Sequence, residues 1–455
     1  MRLSLTSLGA TIVLGCGGSG GSGGGSDGSG DTTAVGNDST TSIVGDSSTA
    51  EPATTAVDSS GSASTSSAAD SSETAEPACE VSADCMAATP ICDDGQCVAC
   101  SDTADGDAAC AERDPDAPAC GADGSCVQCR VDQDQACADT TPICDAASET
   151  CRACGAHQEC ELACEFETGE CFTPEAEGGC VVDVPDNFVS LIGAISSIDP
   201  DTRCVIRLAD IAGDDYFESV SVDQGKRIAI LPQSGVVHVV GSAGNAFTIS
   251  GGAQLYLEEI DVVDGGGGIT VSGVGTVLHF DHGEIARNDA LDAVRVSQGA
   301  HLEMRNAVAV GEPFMNIGSN GVRVDAGSTA TLLNVAMVGL GTGGIALSCA
   351  NDAVVQLRNS VVFTSSAIGN LFCDSATVTH TATENDIPGE GNLGGMLTAE
   401  SFADFDGRDF RITGVAADAL SGVGLWLTGD PTDDIDGQPR IGVDGESEPP
   451  GVNIP

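Results

Sequence analysis

The chain has 455 residues and a formal net charge of −53, from 16 Lys and Arg against 69 Asp and Glu. So large a surplus of acid leaves nothing to neutralise a row of phosphates, which excludes a nucleic-acid binder, and it argues equally against charge-driven docking on an anionic lipid surface. Glycine at 60 and cysteine at 21 are abundant while aromatic residues make up 3%, and these biases fall in different parts of the chain.

Residues 1–16 read MRLSLTSLGATIVLGC. One positive residue, Arg2, precedes a short apolar run and a small-residue site, the layout of a secretory signal too short to cross a bilayer as a helix. Val13-Leu14-Gly15-Cys16 resembles the lipobox of bacterial lipoproteins. That resemblance implies lipidation at Cys16, a membrane partner held through the lipid, and, with Gly17 rather than aspartate next, the outer membrane or cell surface. Residues 17–78 are rich in Gly and Ser, then in Ser, Thr, Ala and Asp, with nine acids and no base. Such sequence buries too little apolar surface to offset its ordering entropy, so a disordered tether is expected.

Residues 79–174 carry a fourfold repeat of four cysteines: Cys79, Cys85, Cys92, Cys97; Cys100, Cys110, Cys120, Cys126; Cys129, Cys137, Cys144, Cys151; Cys154, Cys160, Cys164, Cys171. The C-x-x-C junctions raise zinc as an alternative. An exported context, an even count per unit, and 21 acids against three bases favour two disulfides per unit. Three pairings within a unit remain open. The theme around the third cysteine (TPIC, APAC, TPIC, LACE) resembles short Cys-rich repeats in surface proteins of myxobacteria and relatives, which implies a spacer or interaction stalk.

Residues 179–455 alternate Val, Ile, Leu and Gly. In-out-in triplets recur at Phe247–Ile249, Ile269–Val271, Val294–Val296, Val322–Val324 and Ile345–Leu347, in steps of 22, 25, 28 and 23. A second series follows in step: Leu255–Leu257, Leu278–Phe280, Leu302–Met304, Thr331-Leu332 and Gln356-Leu357. Period-two strands at a near-constant step predict a mainly β solenoid of about eight coils. Asn306, Asn334 and Asn359 recur at one position of the coil, as if stacked in an amide ladder. The repeat length and asparagine column resemble the right-handed parallel β-helix of the pectate-lyase-like superfamily. The segment 186–197 is expected to form a helical cap, Tyr216-Phe217-Glu218 resembles a first-coil segment of that superfamily, and 409–412 with 433–440 resemble a closing segment. Cys180 with Cys204, and Cys349 with Cys373, are each separated by 24 residues, one coil, and are candidate disulfides.

Tyr256, His279, Glu303, Thr331 and Gln356 are expected to point outward in one stripe, with Glu258, Asp281, Arg305 and Arg358 beside it and Arg295 and Arg323 on the other strand series. Polar and aromatic side chains at coil spacing suit an extended glycan. Tyr256, His279, Glu303 and Gln356 are therefore the candidate binding residues. Enzymes of the resembled superfamily carry basic and acidic sets that this chain lacks at fixed spacing; Asp281, His282 and Arg305 are the weak catalytic candidates. The expected function is binding or adhesion to a polysaccharide, matrix component or protein partner at the cell surface, and the alternative is a polysaccharide lyase or glycoside hydrolase. No cofactor or metal is required, although calcium would fit the acidity.

Overall fold

The computed structural model describes residues 79–131, 137–173, 179–211, 215–242, 244–286, 288, 292–313, 318–366, 369–440 and 442–452. Cys16, the signal segment and the tether 17–78 lie outside them.

From Cys180 the chain winds into a parallel β-helix of about eight turns with three strand-bearing faces. Face A holds Cys180–Val184, Arg203–Leu208, Arg227–Pro232, Gln254–Glu258 and Val277–Asp281, the first halves of His301–Gly311 and Thr329–Gly339, then Val354–Arg358 and Ala376–Thr379. Face B holds Tyr216–Phe217, Val237–Val240, Ile260–Val263 and Glu284–Ala286, the second halves of the same two long strands, then Val361–Thr364 and Ala382–Thr383. Face C is a seven-stranded sheet running from Val220–Val222 to Leu371–Phe372.

Register follows the side-chain period of two. On face A, Leu255 pairs with Leu278 and Leu278 with Leu302, while Leu257, Phe280 and Met304 form the next inward column. These columns, with Phe247, Ile269, Val294 and Val322 from face C, fill one continuous apolar core along the axis. The structure shifts one expected triplet by two residues. Val322 pairs with Leu347 and Val324 with Cys349, so Leu347-Ser348-Cys349, rather than Ile345–Leu347, continues the column. The shift turns Cys349 inward, where it reaches Cys373.

Both expected disulfides of the solenoid are present, with Cα atoms 4.5 Å apart for Cys180–Cys204 and 4.7 Å for Cys349–Cys373, the spacing of adjacent parallel strands. In each cysteine unit the first cysteine bonds the third and the second bonds the fourth. Short antiparallel pairs, such as Ile91–Asp93 with Gln96–Val98, set the two bridges side by side. Bridges closing loops this short stabilise by roughly 3 kcal/mol each in the chain-entropy account, which is how units with so little apolar content hold a fold.

The N-terminal cap helix is Leu191–Ser197, five residues later than its expected start at Asp186. Ser190 accepts the Gly193 N–H as N-cap, and Glu218 accepts the N–H groups of Leu191 and Ile192 at 2.9 and 2.7 Å, so a carboxylate sits at the positive helix end. The sole lysine, Lys226, is buried and donates to the Ile195 carbonyl near the other end. Leu191, Ala194 and Ile195 close the core.

Two segments cover the solenoid from the side. The fourth cysteine unit lies on face A, where Ala163 and Phe172 pack with the outward residues Val205, Ala229 and Tyr256. The tail from Leu397 to Val452 lies on face B, where Phe402, Phe410, Ile412 and Leu420 bury outward Val308, Ala336, Val338 and Val361. The closing segment is therefore a lateral cover. No helix among the described residues is long and apolar enough to cross a membrane.

Candidate functional site

The expected outward stripe exists in register: Tyr256 pairs with His279, His279 with Glu303, Glu303 with Thr331 and Thr331 with Gln356. Its first half, however, does not meet solvent. Tyr256 is 0% exposed and His279 5% exposed, because the fourth cysteine unit sits over them. Glu303 and Thr331 are half-buried, and only Gln356 of the column is open. An outward side chain on a sheet is solvated only if nothing docks there, and periodicity carries no information about docking.

The contact is built by residues that the cysteine spacing does not reveal. Unit four reads Leu162-Ala163-Cys164-Glu165-Phe166-Glu167 where the first and third units read Pro-Ile-Cys-Asp. That departure was the signal available in the sequence. Glu165 is 1% exposed and pairs with both Arg203 and Arg227, the latter at 2.9 Å. Phe166 packs against both Tyr256 and His279, with ring centres 5.8 and 5.1 Å away, and the guanidinium of Arg305 sits 5.7 Å from its ring. Tyr256 and His279 stack on neighbouring turns at 4.8 Å.

Charge is arranged around these rings. His279 has Glu167 at 3.3 Å on one nitrogen and Glu303 at 3.1 Å on the other. Burial opposes its protonation, but the two carboxylates outweigh that and raise its pKa. Burial also opposes the charge on Glu303, yet His279 and Arg305 hold its carboxyl down at about 2. Glu258 is different. Desolvation, then the neighbouring Asp281 charge, push it up to about 7, against a hydrogen bond from Gln158 of the cysteine unit.

The weak catalytic candidates fall at the corner between faces A and B. Glu258, Asp281 and Arg305 are successive members of one column. His282 follows Asp281 at the corner itself, 2.9 Å from Asp281 and 3.1 Å from Asp433 of the tail. Burial disfavours its charge, but the two aspartates lift its pKa to about 10. Beyond it, a groove of about 340 Å³ between face B and the tail is lined by Asp261, Glu284, Arg408, Asp409 and Arg411 among others.

Asn306, Asn334 and Asn359 occupy that same corner with φ of 41°, 54° and 52°, a conformation asparagine tolerates better than most residues. Their position was legible and their bonding was not. The expected amide-to-amide ladder does not form: Asn306 meets His282 and Arg440, and Asn359 meets Leu425 and Glu448. The tail, absent from any repeat-based reasoning, supplies better-placed partners than the next asparagine.

Face C remains open. Its outward column is Ser221, Thr248, Thr270, Arg295, Arg323, Ser348 and Phe372, each half-buried or exposed. Arg295 and Arg323, on adjacent turns, both pair with Asp325. Metal-like groupings among the described residues consist of cysteines that are already disulfide-bonded, so no thiolate is left to hold zinc there.

No curated protein and no solved structure matches the chain. Residues 64–177, a stretch that includes all four cysteine units and stops short of the solenoid, match a family of unknown function, DUF8331.

Proposed function

We propose that this is a lipid-anchored cell-surface protein that binds an extended polysaccharide or matrix polymer through face C of its β-helix. The observation that carries the reading is the lateral covering of the other two faces. The fourth cysteine unit overlays face A over the turns from Val205 to His279 and the tail overlays face B over the turns from Val308 to Val361, whereas face C is open along its length and presents hydroxyls or guanidinium groups on six of its seven strands. Side chains about 4.8 Å apart along a rigid axis suit a long polymer better than a compact ligand. Each guanidinium has five N–H donors, so sharing one Asp325 leaves both arginines donors to offer. The lipobox at Cys16 supplies the anchor in this reading, and the four cysteine units supply the spacer. Ten disulfides and the lack of a membrane-spanning helix among the described residues are compatible with an exported protein. The likenesses to myxobacterial surface repeats and to the pectate-lyase-like superfamily point the same way.

A second reading, a glycoside hydrolase or polysaccharide lyase, is favoured by one feature. Glu258, held near 7, stands one turn from Asp281 and two from Arg305, and a carboxyl in that range suits general acid–base work.

Both readings are separated by one experiment. The exported portion is incubated with acidic and neutral polysaccharides, with and without calcium, and polymer size is followed by gel filtration. Co-elution without shortening, lost in an Arg295→Ala/Arg323→Ala double variant, supports binding on face C. Co-elution untouched by that variant moves the site elsewhere. Shortened polymer, abolished by Asp281→Asn, replaces the proposal with the enzymatic reading. No interaction with any polymer refutes the polysaccharide reading and directs attention to a protein partner.

A further inference from the structure

Among the described residues, the asparagine column at the corner between faces A and B contains one side chain without a hydrogen-bond partner. Asn334 is 0% exposed, and neither its Oδ1 nor its Nδ2 meets a hydrogen-bonding group of the protein. Its neighbours one turn away on either side are occupied. Asn306 Oδ1 accepts from Arg440 Nη2 at 3.2 Å, and Asn306 Nδ2 lies 3.3 Å from His282 Nε2. Asn359 donates to the Leu425 carbonyl at 2.8 Å and accepts the Leu425 N–H at 2.9 Å, and its Nδ2 is 3.4 Å from Glu448 Oε1.

Arg440 and Glu448, both on the tail, face this column as a buried pair with Nη1 and Oε1 3.5 Å apart. One of them touches Asn306 and the other touches Asn359. The strand that carries Asn334 lies between the strand that carries Asn306 and the strand that ends at Arg358, just before Asn359. The pair therefore spans the turn of Asn334. Arg440 Nη1 and Glu448 Oε2 are themselves buried without a hydrogen bond.

The register therefore sets two buried donors (Asn334 Nδ2 and Arg440 Nη1) and two buried acceptors (Asn334 Oδ1 and Glu448 Oε2) at the same turn of the corner. Buried polar groups are almost always satisfied, by protein or by ordered water. A cation here would meet the Arg440 guanidinium and an anion would meet the Glu448 carboxylate. A neutral molecule that both donates and accepts fits the set, and water does so with two to four bonds. Asn334 Nδ2 brings two N–H groups and Arg440 Nη1 at least one more, whereas one water accepts only two hydrogen bonds, so a single water does not complete the set.

We propose that this corner is a binding site for a pair of internal waters, which join Asn334 to Arg440 and Glu448 and seal the tail against the solenoid. The site is a structural one, independent of what face C binds.

Oxygen-17 relaxation dispersion counts long-lived internal waters in the folded chain, and it is to be compared with an Asn334→Leu variant. The proposal expects the count to fall by one or two; an unchanged count overturns it. Trp426, the only tryptophan and part of the tail, reports whether that variant keeps its tail docked. Should the tail detach, a crystal structure of the unaltered chain decides instead. Ordered solvent within hydrogen-bond reach of Asn334 and of the Arg440–Glu448 pair upholds the site. Direct contact between Asn334 and either partner, with no solvent between them, overturns it.

Discussion

Phe166 of the fourth cysteine unit and His279 of face A lie 5.1 Å apart between ring centres, and through this contact the disulfide-rich region and the solenoid share one core. Below the rings are residues of the first turns, and around them runs a rim of paired charges.

Removing the buried carboxylate at the rim tests that coupling. Glu165→Ala leaves Arg203 and Arg227 without it, although Glu170 still reaches Arg203 at 2.6 Å. Loss of a partner from a fully buried pair costs about 3–5 kcal/mol, but both arginines are a third or more exposed and screened. We expect roughly 1–2 kcal/mol, read as a lowered melting temperature together with faster proteolysis between Cys171 and Cys180. A melting temperature within error of the parent chain would mean that the packing of Phe166 and Phe172 alone holds the unit.

Acidity should loosen the same contact. Glu303 has a depressed pKa, so its contribution is fully present above the unfolded value near 4.5 and is lost as pH falls towards 2. His279 has a raised pKa, so its contribution is present below about 6.5 and is lost as pH rises through its folded value. The rim is therefore firmest between about pH 4.5 and 6.5. Protease resistance of the fourth unit, followed from pH 3 to 9, should peak in that window, and a Glu303→Gln variant should lose the acid limb.

Glu258 has the opposite sign to Glu303. Its raised value of about 7 means that the folded chain holds a proton the unfolded chain releases, so stability is lost as pH rises from about 4.5 to 7. Glu258→Gln keeps a neutral group in place. It should stabilise the protein at pH 8, by on the order of 2 kcal/mol, and be nearly neutral at pH 4. Denaturant melts at the two pH values check this; equal effects at both would show that Glu258 is not desolvated.

His282 ties the tail to the corner, and its charge persists to about pH 10. That raised value gives stability present below about 6.5 and lost through 10, so the tail should open in alkali before the solenoid unfolds. Emission from Trp426, which donates to the Pro431 carbonyl within the tail, follows this opening. His282→Gln should flatten the alkaline transition.

The Cys349–Cys373 bridge closes a 24-residue loop. A double replacement by serine should cost about 3 kcal/mol. Hydrogen exchange should then accelerate in the last turns, at Leu371–Phe372 and Ala376–Thr379, and remain unchanged near Cys180.

Faces A and C were legible because each alternates strictly around inward Leu, Val, Ile and Phe. Face B does not stand out in the sequence as a separate strand series. Its strands, such as Glu284–Ala286, are short, and from Val308 onward its outward residues are apolar because the tail covers them, which erases the alternation. The stripe from Tyr256 to Gln356 was placed in the right column, yet its burial depends on a docked unit more than 80 residues away in the chain. Sequence period reports a strand's own two sides. It is silent about which distant segment returns to cover one of them.

The position of the fourth unit also determines how the molecule meets a pull from its N-terminal side. Tension arriving through the disulfide units reaches Cys154–Cys171 before it reaches the first strand at Cys180. That unit packs on the turns carrying Arg203, Arg227, Tyr256 and His279, so these contacts stand between the pull and the first strand. Once they have given way, the next element in line is Cys180, covalently tied to the following turn at Cys204, so peeling of the solenoid is checked at its first step.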